Sequence, residues 1–176
     1  MSASPDMGRM PSPRHAQGLG LAARAGREFL GSLATRTSCL TLLAGAGSRW
    51  KKSLAQAKAA IPPDARDPHS LRTQAFPLDA PRGLFPVKNR LAPGRDFIPL
   101  AAYAVDALKG LGRTGLVVRG WVEEIQREVL EPLGMGPEGV GFAFQAEGPQ
   151  GKVLGHGDAT FQASALWKDS DYLMVN

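Results

Sequence analysis

Apolar positions come in short runs separated by glycines and prolines, and the spacing within the runs changes in a regular way along the chain. Ser38-Cys39-Leu40-Thr41-Leu42-Leu43 is a continuous, mostly apolar run that ends at glycines, the pattern of a buried strand. From Arg49 to Asp96 periodicity is weak. A brief helix is expected over 51–60, and Ile61-Pro62-Pro63, Asp67-Pro68, Phe76-Pro77 and Ala80-Pro81 then break the chain into a long loop. After Pro99 the pattern becomes regular. Leu100, Tyr103, Ala104, Ala107, Leu108 and Leu111 lie on one helical face, with Pro99 suited to its start and Gly112 to its end. Gly115-Leu116-Val117-Val118 predicts the next strand. Val122, Ile125, Val129 and Leu133 mark a helix closed near Pro132 and Gly134. Val140, Phe142 and Phe144 alternate as a third strand, Ala159 to Leu166 reads as a third helix, and Tyr172-Leu173-Met174-Val175 as a fourth strand.

Strands alternating with helices predict an α/β chain of Rossmann-like type, a mainly parallel sheet with helices on both faces. Ligands of such sheets bind beyond the carboxyl ends of the strands. Gly45, Gln145 and Asn176 close the first, third and fourth strands, so they are expected at one crevice.

At 176 residues the chain is long enough for one domain with a real core. It divides into an N-terminal extension over 1–36 and a folded part over 37–176. The extension holds Arg9, Arg14, Arg24, Arg27 and Arg36 against Asp6 and Glu28. That composition resembles an organelle transit peptide. However, Arg outnumbers Lys two to one in the whole chain, so the simpler expectation is a disordered start, a short helix over 20–34 and a cytoplasmic protein. No run of about 18 apolar residues is present, which argues against a membrane partner. Cys39 is the single cysteine, which excludes a disulfide framework and a cysteine-based zinc site. Charge is uneven: residues 1–98 carry 15 Lys/Arg and 6 Asp/Glu, whereas 99–176 carry 6 and 10. A basic front suits an anionic ligand. The basic residues form no aromatic-interleaved stripe, which disfavours nucleic acid.

The candidate chemistry starts at Leu43-Ala44-Gly45-Ala46-Gly47-Ser48-Arg49, directly after the first strand. Glycines let a backbone approach a ligand closely and turn its N–H groups toward phosphate oxygens, and Arg49 adds a forked cation. A glycine turn after a buried strand is also common, so the loop alone does not decide. The Gly-Lys-Ser/Thr ending of a Walker loop is absent. So are the third glycine and the acidic residue of the dinucleotide fingerprint, since the second strand ends at Arg119. No nucleophile–base pair of the Ser-His-Asp kind is readable.

Further elements follow in order: Phe85-Pro86-Val87-Lys88, Ile98-Pro99-Leu100, Leu116-Val117-Val118-Arg119-Gly120, Phe142-Ala143-Phe144-Gln145 and Gly155-His156-Gly157-Asp158. Taken together, residues 38–176 resemble the front part of the sugar-nucleotide pyrophosphorylases, in particular the UTP-dependent sugar-1-phosphate uridylyltransferases. Ala46 stands where that pattern has glycine, and the lysine element carries an extra residue. The resemblance implies a nucleotidyltransferase fold that transfers UMP from UTP to a sugar 1-phosphate with release of pyrophosphate. It implies that Ala44, Gly45, Ala46, Gly47 and Ser48 hold the triphosphate, and that Arg49 and Lys88 act as catalytic cations. Gln145 would read the base edge, and Gly155, His156, Gly157 and Asp158 would shape the base and sugar pocket. Magnesium is the implied cofactor. In the family, its aspartate ligand follows the strand that corresponds to Leu173-Met174-Val175-Asn176, so neither that ligand nor the sugar-binding half is expected in this chain, which looks truncated. Other readings stay open. The first is a non-catalytic nucleotide-binding or interaction module of the same fold, and the second a molybdopterin-type nucleotidyltransferase. Lys88 also fits a solvated basic loop, Gln145 a strand end, His156 an exposed turn, and Asp158 a cap for the helix after it. The last strand, lacking neighbours, predicts self-association through an exposed sheet edge.

Overall fold

The protein is described here by a computed structural model covering residues 13–44 and 47–176. A helix, α1 (Pro13–Arg36), runs directly into strand β1 (Thr37–Leu42). It is longer than the stretch over 20–34 that the sequence suggests, and residues 1–12 lie outside the described part. Next come α2 (Ser48–Ala60), α3 (Pro68–Ala75), and the three-residue strands β2 (Pro86–Lys88) and β3 (Phe97–Pro99). The chain continues through α4 (Leu100–Leu108), β4 (Arg113–Val118), α5 (Val122–Ile125), β5 (Val140–Phe144), α6 (His156–Gln162) and β6 (Tyr172–Val175).

Four strands form one sheet in the order β5-β4-β1-β6, and every pairing is parallel. Helices flank it, as the alternating pattern predicts. On one face Leu116 and Val118 of β4 pack against Ala101 and Val105 of α4 and against Ile125 and Val129. On the other, Leu40 of β1 and Val117 of β4 pack against Ala159 and Ala163 at α6. Fully burying an aliphatic side chain is worth roughly 1.5–3 kcal/mol, so these two layers supply most of the hold on the sheet. Gly115 and Gly141 face each other across β4 and β5, and Leu166 fills the space above both. A Cβ on either glycine would come within 2.6 Å of a core leucine methyl.

The stretch from Arg49 to Asp96, expected as mostly loop, is partly regular. Asp67-Pro68 starts a helix rather than breaking one. The Asp67 carboxylate accepts from the backbone N–H groups of His69 and Ser70; the Ser70 side chain first, and then these N–H groups, hold its pKa below the usual carboxylate value, and Pro68 takes the first turn. Pro86 and Pro99 lie opposite each other at one end of the antiparallel β2–β3 ribbon. Phe76 and Phe85 meet edge to face at 5.3 Å, and Trp50 and Phe85 at 5.1 Å, so aromatic contacts tie α2 and α3 together. α4 stops at Leu108, short of the expected Leu111, because Lys109 turns extended and Gly110 takes a left-handed φ of 81°. After α5 the chain stays helical through a wider turn over Gln126–Leu130 and a tight turn over Glu131–Leu133, until Gly134 stops it at φ 67°.

β6 is an edge strand, paired to β1 alone among the described residues, and Tyr172, Leu173, Met174 and Val175 are all exposed. Asp171 accepts an ion-paired hydrogen bond from Arg36, the last residue of α1, whose guanidinium also lies over the Tyr172 ring. Cys39 is fully buried, and burial pushes its thiol pKa up. A thiol-specific reagent is therefore expected to label it only after denaturation; labelling of the native chain at the rate of a free thiol contradicts that burial. Gly112 offers a second check. A Cβ there would sit 2.4 Å from the Thr37 carbonyl oxygen, whereas one at Gly139 would meet nothing within 4 Å. Gly112→Ala is expected to cost about 1–3 kcal/mol in urea unfolding. Gly139→Ala should stay within about 0.5 kcal/mol of the parent. Equal stabilities would show that the α4–β4 turn is not locked against β1.

Candidate functional site

The sheet reverses its direction of growth at β1. The chain adds β4 and β5 on one side of it and then returns to add β6 on the other. Crevices at such reversals, beyond the strand carboxyl ends, are where open α/β sheets take ligands. A cavity of about 790 Å³ opens there, within the roughly 300–1,000 Å³ usual for ligand pockets. Leu42 at the end of β1 with Leu43 and Ala44 beyond it, Arg119 beyond β4 and Asn176 beyond β6 all line it.

One wall is the start of α2. Gly47 takes a left-handed conformation (φ 60°, ψ 23°) that turns the chain into the helix. Among the described residues no side chain caps this end, and its first turn holds no acidic residue. The opening N–H groups, which have no partner inside the helix, therefore stand with the positive end of the helix dipole beside the cavity. Arg49, Lys51, Arg82 and Arg119 also line it, against Asp79 as the one carboxylate among the described lining residues. Four cations around an uncapped helix start make a site for a ligand with several negative charges. Two buried polar atoms belong to lining residues and lack any hydrogen-bond partner among the described residues: the Thr41 hydroxyl and the Trp50 indole N–H.

The sequence-predicted residues divide here. Ala44, Gly47, Ser48, Arg49 and His156 line the cavity together, and Gly45 and Ala46 lie outside the described residues. Lys88 ends β2, exposed and away from the lining, with its carbonyl accepting from the Tyr103 hydroxyl at 2.8 Å. Gln145 is 4% exposed and outside the lining. Its Nε2 donates to the Leu154 carbonyl and to Asp158 Oδ2, both at 3.0 Å. Asp158 also accepts from Gln162 Nε2 at 2.8 Å, and Gly155, not Asp158, occupies the cap position of α6. Gln145 and Asp158 thus close the loop 146–155 back on itself. Gly155 and Gly157 are exposed at the start of α6 and are not among the lining residues. Arg82, Lys51 and Arg119 are the cations that motif reading passed over.

Magnesium keeps several waters and is usually held through one or two carboxylates together with substrate phosphates, and Asp79 is the carboxylate that the lining offers it. Asp79 stands without a second lining carboxylate, and no three His, Cys, Asp or Glu side chains converge anywhere among the described residues. No family model matches the chain, and no curated protein or solved structure matches it either.

The two hydrogen bonds from the Gln145 amide predict a structural cost. Gln145→Ala is expected to lower stability by about 1–3 kcal/mol, read by denaturant titration, with phosphate-ligand affinity unchanged. A loss of affinity at full stability would instead place this amide at the ligand.

Proposed function

We propose that the cavity binds the phosphate chain of a nucleoside triphosphate, and that the chain is the nucleotide-binding part of a nucleotidyltransferase. The observation that carries this reading is the uncapped start of α2, set among Arg49, Lys51, Arg82 and Arg119 where the sheet reverses. The order of motifs that resembles the sugar-1-phosphate uridylyltransferases extends it to UTP and a sugar 1-phosphate. In that reaction a phosphate oxygen of the sugar 1-phosphate forms a bond to the α-phosphorus. The bond from that phosphorus to the bridging oxygen of the β-phosphate breaks, and its electrons leave with pyrophosphate. The protein's part in such a transfer is to hold the groups in line and to neutralise developing charge. Arg49 and Arg82 are better placed for that than Lys88, which lies off the cavity.

A second reading is a nucleotide-binding module without catalysis. The positions of Lys88 and Gln145 outside the lining, and the lone Asp79 within it, favour that reading. Calorimetric titration with UTP, ATP and inorganic pyrophosphate tests the binding that both readings share. Arg49→Ala is expected to weaken binding at least about tenfold, and raised salt should weaken it further. An unchanged affinity in Arg49→Ala removes the cradle from both readings. Release of pyrophosphate from UTP with glucose 1-phosphate and magnesium supports the transferase, and binding without release supports the module.

A further inference from the structure

Arg119 stands one residue beyond β4, on the cavity lip, in a turn of unusual backbone. Gly120 has φ 151°, and Trp121 has φ 61° with ψ 29°, a left-handed conformation that bulky residues rarely adopt. Such a residue costs of order 1–3 kcal/mol and persists where the surroundings hold it. Trp121 lines this cavity and a second, largely apolar one of about 360 Å³ behind it. The turn therefore fixes where Arg119 begins, and its side chain then reaches across to the loop after β5. There Arg119 Nη2 donates to Glu147 Oε1 at 2.5 Å.

Glu147 is itself held on both sides. Before it, the Ala146 N–H donates to Gln162 Oε1 at 2.7 Å and Gln145 is pinned to Leu154 and Asp158; after it, the Gly148 N–H donates to the Lys152 carbonyl at 2.8 Å. The carboxylate is thus presented to Arg119 by a closed loop rather than by a loose one. Both partners keep solvent contact, with side chains 33% and 54% exposed, and an ion pair so placed is weak, about 0–1 kcal/mol. A carboxylate, like a phosphate, can offer a guanidinium two oxygens.

We propose that Arg119 is held in reserve among the cations of this cavity, and that Glu147 is an internal anion occupying it until a polyphosphate displaces the carboxylate. This rests on the phosphate-binding reading above and adds a competitor to it. The site then selects for ligands with enough charge to reach from the start of α2 to the end of β4. A di- or triphosphate gains from the exchange, and a single phosphate at the helix start does not.

The test is calorimetric titration of inorganic tripolyphosphate, UTP and inorganic phosphate into the wild type, Arg49→Ala, Arg119→Ala, Glu147→Gln and the Arg119→Ala/Glu147→Gln double variant. Glu147→Gln is expected to bind tripolyphosphate and UTP about threefold tighter, the size of a weak exposed pair released. Arg119→Ala should bind them about tenfold more weakly, a larger loss than it shows for inorganic phosphate. In the double variant the Glu147 effect should vanish. If Arg49→Ala weakens binding while Glu147→Gln and Arg119→Ala match the wild type, the cradle stands and the competitor is overturned. Weaker binding in Glu147→Gln also overturns it, because Glu147 would then position Arg119 for the ligand. A wild type that binds neither tripolyphosphate nor UTP overturns the cradle and the competitor together.

Discussion

Everything in this chain hangs on β1 lying between two parallel neighbours. Thr37 to Thr41 are all buried, and the ladder to β4 and β6 takes up their backbone groups on both edges. Parallel pairing forbids tight turns, so each return trip must cross a face of the sheet and deliver its loop to the same end. The ladder also outlasts the strand. Leu43 N–H donates to the Val117 carbonyl, and Asn176 exchanges backbone bonds with Leu40 and Leu42. The backbone that turns into α2 is therefore anchored to within a few residues of the cavity.

That constraint explains which parts of the fold could be read from residues alone. Strands buried on both faces appear as plain apolar runs, so β1 and β4 are visible to within a residue or two, and the half-buried β5 shows by alternation instead. The segments over 48–99 bury much less. Leu54 is the one buried residue of α2 and Thr73 of α3, so neither helix leaves a full apolar stripe to detect. β2 and β3 have three residues each, too few for alternation to show. The available signal was chemical rather than periodic: Asp67-Pro68 is the cap and first position of a helix, although two adjacent turn-formers read more readily as a break.

The site divides in the same way. Gly47 to Arg49 could be found because they follow directly on a legible strand. Arg82 and Arg119 reach the cavity from a tight turn and from a strained one, and no spacing rule connects them to Arg49. The excess of positive charge before residue 99 was the only trace of Arg82, and Arg119 lies in the net acidic remainder. Gln145 and Asp158 show the opposite limit. Each looked available for a ligand when considered singly, and the fold joins them to each other. Polar side chains at strand ends are often claimed by the adjacent loop, because a loop that folds back must satisfy its own backbone and side-chain groups.

α1 enters β1 with no intervening residue. A helix of 24 residues is about 36 Å long at the usual rise, and its described mid-section is solvent-facing, with Phe29 and Leu30 more than 60% exposed. It is fastened at its base, where Arg36 grips Asp171 ahead of β6. Mechanically this is a long rod clamped at one end to the central strand, with no flexible joint to absorb a torque. Whatever pushes on the rod pushes on β1, and the cavity opens at the other end of that strand.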